Sequence, residues 1–307
     1  MSTAPQITLA SWLMVAVLGL TWGGTFLVTE IALEGLTPFW LAAGRISFAT
    51  LLMLLVWGAL GFKLFDRPPS RRDWLTMLVS GALSSAVPFM LLAWGQQYVT
   101  GGFAGVSMAA VALIVLPLAH LLVPGETMTL RKSLGFAIGF AGVCILIGAQ
   151  AFESAGTTLE TPGRLACLAA AACYAVSSIL MRRLPPVNSI GLSTLLLLIG
   201  AAVVLPAALW AEGPPPPLSG KTAWVIVFLG VVPTAAANLL RVLVVRSAGP
   251  VFMSLTNYQV PLWSVLLGAW LLNEPLPASL IWAMALILSG VGLSQYGALS
   301  RLFGGAK

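Results

Sequence analysis

The chain has 307 residues, of which 59% are hydrophobic and 8% charged, and its mean hydropathy is +0.99. A soluble domain carries roughly 25% charged residues, so this composition excludes a water-soluble globular fold and indicates apolar surface facing lipid. The formal net charge of +6 is attributed to membrane topology and not to a nucleic-acid partner.

Ten apolar segments follow one another along the chain, each close to the roughly 20 residues that a membrane-spanning helix needs. They are 9–33, 39–61, 73–96, 101–122, 132–150, 163–183, 189–211, 222–245, 250–272 and 278–299. The first is too long for a secretory signal peptide and has no Lys or Arg before it. We therefore predict an all-α membrane protein with ten transmembrane helices, called spans 1 to 10.

Positive charge is concentrated on one side of the predicted membrane. Of the 15 Lys and Arg residues, all but Arg45, Arg164 and Lys221 fall on that side. Because Lys and Arg are enriched in cytoplasmic loops, we place both termini in the cytoplasm. We expect a multi-pass protein of the cell inner membrane.

A turn that contains Glu and precedes an apolar stretch occurs twice, at Glu126 and, 148 residues later, at Glu274. With five spans in each half, the second copy faces the opposite side of the membrane. We predict two inverted repeats, 1–150 and 151–307, the arrangement with which many transporters build two gates around one central site. Both glutamates lie at helix ends, where we expect them to cap turns.

Several motifs occur in a particular order along these spans. Span 1 contains Trp22-Gly23-Gly24-Thr25, span 2 contains Arg45 soon after Thr37-Pro38, and spans 4 and 9 end with Gly-Glu and Asn-Glu. In this order the motifs resemble the drug/metabolite transporter superfamily, in its ten-helix branch of two EamA-type repeats. The likeness is strongest to bacterial exporters of aromatic amino acids. The second half departs from the pattern, with Tyr174 in place of Trp22 and Leu197 in place of Arg45.

The resemblance implies a transporter that exports amino acids, aromatic or large apolar ones above all, or similar amphipathic metabolites. We expect alternating access through a central cavity. Prolines that permit the bending this requires are Pro88, Pro117, Pro233 and Pro261. A broad-specificity drug or metabolite efflux transporter is the alternative.

Span 9 holds the densest set of polar side chains near mid-depth, where polar groups tend to face a cavity or another helix. Asn257, Tyr258 and Gln259 precede Pro261 and Trp263. Pro261 frees a backbone carbonyl near Asn257, so the helix could open there and bind substrate. Otherwise Asn257 bonds a neighbouring helix and Pro261 only kinks its own.

Five other spans supply the remaining substrate candidates, for which ordinary helix packing is the alternative. These residues are Trp22, Thr25, Phe89, Met108, Tyr174, Ser178 and Asn238. An indole or phenol beside small residues can line an amphipathic pocket.

Three charged or titratable residues have two interpretations each. Arg45 either pairs with Glu30 or helix carbonyls, or contacts a substrate carboxylate near the outer gate. Arg241 is interpreted as an anchor at the membrane interface, and a cavity role is its alternative. His120, the single histidine, is interpreted as a structural donor, and a proton carrier is its alternative.

Other functional classes lack their residues. Near mid-depth there is no Asp, Glu or Lys, which favours a neutral or zwitterionic substrate and leaves proton coupling open. An intramembrane enzyme is a remote alternative, because neither paired membrane Asp nor HExxH occurs. The three cysteines show no CxxC spacing. We predict no enzyme, cofactor or metal, a small-molecule substrate, a lipid bilayer as partner, and a monomer.

Overall fold

The computed structural model describes residues 5–33, 35–65, 68–95, 98–99, 107–148, 156, 158–217, 220–272 and 278–303. Over these residues the regular secondary structure is helical, apart from one isolated antiparallel bridge between Phe65 and Val187. Glu274 lies outside them, and so does the side chain of Glu30.

The helices match the predicted spans closely. In chain order they are α1 (Leu9–Leu33), α2 (Pro38–Ala59), α3 (Arg71–Gly81), the π-helical turn π1 (Ala82–Ala86), α4 (Val87–Gly95), α5 (Val111–Leu122), α6 (Leu130–Ile147), α7 (Glu160–Arg183), α8 (Ser189–Glu212), α9 (Gly220–Gly230), the π-helical turn π2 (Val231–Ala236), α10 (Ala237–Ser247), α11 (Pro250–Met253), α12 (Thr256–Leu272), α13 (Leu280–Ser294) and α14 (Tyr296–Phe303). Within the described residues, six helical stretches are long and apolar enough to cross a membrane, and shorter apolar helices accompany them. The prediction of an all-helical membrane protein is confirmed, while the count of ten spans and the side of the termini stay predictions.

Hydrogen bonds between distant segments close one end of the bundle, which we call the Glu126 end. The Gln6 N–H donates to the Ser247 carbonyl, 3.0 Å away, and the Asn188 N–H donates to the Leu64 carbonyl, 2.8 Å away. Asn188 also caps α8, because its side-chain oxygen accepts hydrogen bonds from the backbone N–H groups of Ile190 and Gly191. Arg246, next to Ser247, donates to the carbonyls of Leu184 and Pro185, so the residues before α1 and the connection between α7 and α8 lie at the same end.

The opposite end, which we call the Glu212 end, is fixed by a carboxylate from α8. Glu212 accepts hydrogen bonds from the backbone N–H groups of Phe39 and Trp40, each 3.1 Å away, and from the Thr37 hydroxyl. The first N–H groups of a helix have no partner within the helix, and a negative charge stabilises them. Pro38 is the first residue of α2, and because proline has no backbone N–H it leaves no donor there that needs a partner. Glu212 thus ties α2 to α8 across most of the sequence.

Glycines allow α6 and α13 to approach closely. A Cβ added to Gly135 would lie 2.6 Å from the Gly290 carbonyl oxygen, and one added to Gly142 would lie 2.8 Å from the Ile287 side chain. Small residues let helix backbones touch, which is the main source of packing energy where lipid removes the hydrophobic driving force. These helices form the last predicted span of each half.

Spans 3, 8 and 9 contain interruptions of the regular α-helix. Spans 3 and 8 each pass through a π-helical turn, π1 and π2, which begin 149 residues apart. A π turn widens the helix by one residue and is frequent at functional sites. Span 9 is interrupted at Ser254 and Leu255, between α11 and α12. The opening was predicted near Asn257; the interruption lies two to three residues before Asn257, and α12 continues through Pro261.

Candidate functional site

The π2 turn connects three helices through its backbone and one hydroxyl. Pro233 has no N–H, so the carbonyl of Leu229 lacks its usual helical donor. The Thr234 hydroxyl donates to this carbonyl, 2.7 Å away, and accepts from Nε of Arg45, 2.9 Å away. The indole N–H of Trp22 donates to the Pro233 carbonyl, 3.2 Å away. Proline thus creates the opening that a neighbouring side chain fills, and α1 and α2 attach there.

Arg45 lies deep in the bundle, with 6% of its surface exposed. Its guanidinium carbon lies 5.2 Å from the centroid of the Phe89 ring, within range of a cation–π interaction. Of the predicted partners, the Glu30 side chain lies outside the described residues. Among the described residues, the hydrogen-bond partner of Arg45 is the Thr234 hydroxyl.

Arg241 is also buried, with 5% of its surface exposed. One terminal nitrogen donates to the hydroxyls of Ser177 and Ser178, 2.7 and 3.1 Å away, and the guanidinium carbon lies 5.8 Å from the Tyr174 centroid. The interpretation as an interfacial anchor is wrong, because both the charge and its partners face the protein interior. The sequence held one indication of this burial. Arg246 lies in the last turn of α10, and Arg241 lies more than one helical turn before it, further from the helix end.

We call Arg45, Tyr174, Thr234 and Arg241 the arginine cluster. Tyr174 lies within electrostatic range of both guanidinium groups. Arg241 follows Thr234 by seven residues, so the two lie about 10 Å apart along the helix. The cluster joins predicted spans 2, 6 and 8 around one phenol.

No acid with a described side chain joins the arginine cluster. Each contacts other groups elsewhere in the bundle: Asp73 with Ser70, Glu126 with Lys132, Glu160 with Arg164, and Glu212 with the start of α2. Two positive charges are therefore buried with hydroxyls and aromatic rings as their described neighbours. Charged groups at such depth are costly and usually functional.

Two predicted substrate residues make hydrogen bonds typical of helix packing. The Asn238 amide donates to the hydroxyl and carbonyl of Ser193, 3.0 and 3.3 Å away, which joins α10 to α8. The Thr25 hydroxyl donates to the Thr21 carbonyl within α1, 2.7 Å away. Met108 is half-buried and packs against the largest apolar cluster. Their substrate roles stay predictions.

The candidates of span 9 do not lie in one group. Tyr258 is fully buried, and its hydroxyl donates to the Phe136 carbonyl of α6, 2.9 Å away. The Asn257 amide donates to the Ser254 carbonyl of its own turn, 3.1 Å away. Asn257 therefore satisfies the backbone where the helix opens.

Gln259 and Trp263 face α1. A Cβ added to Gly19 would lie 2.8 Å from Gln259, and one added to Gly23 would lie 2.5 Å from Trp263. The Trp-Gly-Gly-Thr motif thus presents its indole to π2 and its glycines to α12. Trp22 of α1 and Trp263 of α12 therefore lie on neighbouring faces of these two packed helices.

The prolines differ in their surroundings. Pro88 is buried in α4, two residues after the end of π1, and Pro233 is buried within π2. Pro117 is exposed in α5, and Pro261 is half-buried inside α12. Two of the four predicted bending sites therefore coincide with irregular helix. Their role in gating stays a prediction.

Glu126 links two spans at the Glu126 end. Its carboxylate, 8% exposed, accepts from the Val251 N–H, touches Gly249, and lies 3.8 Å from Nζ of Lys132. Gly249 has φ +93°, which only glycine adopts readily. Burial raises the pKa of the Glu126 carboxyl, and the positive charges of Lys132 and Arg182 oppose that rise. Glu126 thus attaches the start of span 9 to the loop after span 4.

Arg246 stabilises the same end of the bundle. Its guanidinium donates to the carbonyls of Met181, Leu184 and Pro185, at 3.2, 2.7 and 2.8 Å. The Met181 carbonyl belongs to the last turn of α7, and the other two follow that turn. A cation at this position complements the negative end of the helix dipole. In the described part of the chain, no three His, Cys, Asp or Glu side chains come together as metal ligands would.

Comparison with known proteins gives a consistent family. The model of the EamA-like transporter family matches residues 9–148 and 161–295. The uncharacterized transporter YvbV of Bacillus subtilis (strain 168) is 25% identical over 288 residues, covering 92% of this chain and 90% of the relative. The uncharacterized inner membrane transporter YedA of Escherichia coli (strain K12) is 27% identical over 281 residues, covering 90% of this chain and 87% of the relative.

One further match covers about half of this chain, and another is to a solved structure with the same fold. A "Probable terminal-alkyne amino-acid exporter" of Streptantibioticus cattleyicolor is 26% identical over 141 residues, 46% of each chain. One crystal structure superposes with a TM-score of 0.78 at 21% identity, covering 95% of this chain and 98% of that one. At this identity the match shows a shared fold.

Proposed function

The chain belongs to the EamA-like transporter family, and on that premise we propose that it exports small amphipathic metabolites, aromatic or large apolar amino acids among them. The protein is a multi-pass membrane transporter. We place it in the inner membrane with both termini in the cytoplasm, as the Lys and Arg bias favours. The name of the inner membrane transporter YedA supports that location.

The observation that carries the proposal is the pair of π-helical turns. Turns π1 and π2 begin 149 residues apart, nearly the offset of the Glu126 and Glu274 motifs. An irregular turn in the same position of each half gives each half a place to bend. The double match of the family model, 9–148 and 161–295, supports the division into repeats 1–150 and 151–307.

In this mechanism the two halves move against each other by alternating access. Closure at the Glu126 end rests on Glu126 and Arg246, and closure at the Glu212 end rests on Glu212. The π2 turn lies between these ends and holds Trp22 and Arg45 of the first half. Bending at π2 would therefore change the site as well as the gates.

The side chains around π2 suit an amphipathic solute. Trp22, Phe89 and Tyr174 offer apolar faces, and hydroxyls and guanidinium groups offer placed hydrogen bonds, the usual composition of a small-molecule site. The relative named as an amino-acid exporter supports an amino-acid substrate.

Transport by purified protein in liposomes tests the proposal. Liposomes loaded with unlabelled L-phenylalanine should accumulate labelled L-phenylalanine by counterflow, saturably and above protein-free liposomes. A panel of amino acids, amines and neutral drugs separates amino-acid export from broad efflux. A pH step across the same membrane shows whether protons are coupled. The proposal fails if no amphipathic amino acid or metabolite in the panel exchanges faster than in protein-free liposomes.

A further inference from the structure

The two buried arginines of the arginine cluster have hydroxyl and aromatic neighbours but no described acid. Resting on the transport function proposed above, we infer that the transported solute is an organic anion whose carboxylate is bound by Arg45 and Arg241. This assigns a charge to the substrate, whereas the amphipathic chemistry alone fits neutral, zwitterionic and anionic molecules.

The energetic argument concerns charge at depth. Burying a guanidinium without a counter-charge is costly even on the mildest insertion scale. Hydroxyls and ring faces recover part of that cost for Arg45 and Arg241, and neither supplies a negative charge. A ligand that brings a negative charge would therefore stabilise these two buried guanidinium groups more than a neutral ligand would.

The donor count leaves room for this ligand. A guanidinium has five N–H donors in a planar fork. Within the described residues, Arg45 donates through Nε, and Arg241 donates through one terminal nitrogen to two serine hydroxyls. The two terminal nitrogens of Arg45 form a fork that can bind a carboxylate with two parallel hydrogen bonds, and Arg241 keeps its Nε–H and its other terminal nitrogen, each able to donate a single charge-assisted hydrogen bond.

The aromatic neighbours define the other part of the solute. Phe89 lies beside the Arg45 guanidinium, and Tyr174 lies beside that of Arg241. A carboxylate bound by both arginines would have these two rings beside it as contacts for the apolar body of the solute. An α-ammonium group would meet two positive charges and no described acid, so a carboxylate without that group should bind better than a zwitterion.

Three probes with the same ring test this order. Purified protein is titrated with 3-phenylpropionate, L-phenylalanine and 2-phenylethylamine, and thermal stabilisation gives the apparent affinity. We expect 3-phenylpropionate to bind most tightly, L-phenylalanine less, and 2-phenylethylamine least. Arg241→Gln and Arg45→Gln should each weaken 3-phenylpropionate by roughly tenfold or more, because each removes a charge-assisted hydrogen bond.

Matched variants separate recognition from folding. Arg183→Gln removes an exposed arginine from the last turn of α7 and should bind like the wild type. Arg241→Lys keeps the charge and loses the fixed planar set of guanidinium donors, so its affinity should fall between wild type and Arg241→Gln. If a glutamine variant is too unstable to purify, Arg241→Lys should still bind 3-phenylpropionate more weakly than the wild type.

Two results would overturn the inference. One is equal or better binding of the amine than of the carboxylate, or no stabilisation by any probe. The other is unchanged 3-phenylpropionate affinity in folded arginine variants. L-Phenylalanine counterflow that does not depend on these arginines would sink the anion inference and leave the transport function standing. Carboxylate binding without transport of any panel compound would do the reverse.

Discussion

At the scale of single residues, Thr234 connects a helix irregularity to a buried charge. Its hydroxyl donates to the Leu229 carbonyl and accepts from Arg45, so one oxygen satisfies both a backbone acceptor and a guanidinium. Buried polar groups that lose their partner cost more than the bond itself contributed. The position therefore requires a hydroxyl and not merely a small side chain.

Replacing this hydroxyl gives a matched pair of variants. Thr234→Val keeps the branched shape and leaves Leu229 and Arg45 without a partner, so we expect a loss of about 1–3 kcal/mol in stability. Thr234→Ser keeps the oxygen and should lose less. Thermal unfolding in detergent measures both. If the valine variant melts at the temperature of the serine variant, the network around π2 does not stabilise the fold.

Glu126 allows a prediction about pH. Its pKa is raised in the folded protein above the usual value near 4.5, so the folded state binds the proton more tightly than the unfolded state. The stability from this group is therefore largest at low pH and decreases as the pH rises through the folded pKa. Lys132 and Arg182 oppose the effect without reversing it.

Glu126→Gln should flatten that part of the pH profile, because glutamine does not titrate. It can still accept from the Val251 N–H. Melting temperatures of wild type and variant, measured from pH 4.5 upward, should converge at the acidic limit if the prediction holds. Parallel profiles over the whole range would contradict it.

At the scale of elements, the π turns differ from the rest of the bundle in what maintains them. At π2 the proline removes a donor, and a threonine replaces it with a side-chain bond. Such a turn costs stability and is retained where a helix has to change shape. This favours π2 as a hinge.

Pro233→Ala restores the missing N–H and should let a regular helix form. We expect a more stable protein, by about 1 kcal/mol or more, since proline is the least favourable residue inside a helix. Counterflow should slow several-fold because the hinge stiffens. Pro206→Ala, which removes an exposed proline from the interior of α8, is the control and should leave transport unchanged. Faster transport by the Pro233 variant would count against a hinge at π2.

The close packing of α6 and α13 can be tested with two glycines of one helix. Gly290→Ala would place its Cβ 2.5 Å from the Gly135 carbonyl oxygen, whereas a Cβ at Gly292 has nothing within 4 Å. We expect Gly290→Ala to lose about 1–3 kcal/mol through overpacking. Gly292→Ala should gain about 0.5–1 kcal/mol from its better helix propensity. Melting temperatures that shift alike would contradict this contact.

At the scale of the whole molecule, hydropathy predicted most of the fold, because lipid requires continuous helix from every apolar segment. Span 1 was predicted at 9–33 and is α1 at Leu9–Leu33. The π turns could not be predicted this way, since a π turn adds one residue without changing hydropathy. They depend on partners in other helices, such as Arg45 and Trp22 at π2.

The candidate site was predicted less completely, for a related reason. Counting residues from helix ends placed Arg241 near an interface, but the surrounding bundle buries it under Tyr174 and two serines. The same counting grouped Tyr258 with Asn257, while the structure places its hydroxyl on α6. Depth along a helix follows from sequence, and the direction in which a side chain points follows from packing.

The hydrogen bonds of Glu212, Trp22 and Arg45 all run between one half of the chain and the other. In each bond the donor belongs to the first half and the acceptor belongs to the second half, so neither half can form these bonds by itself. Two chains cut in the loop between α6 and α7 should therefore reassemble when produced together. Two copies of a single half would leave these groups unmatched, so the halves are complementary and not interchangeable.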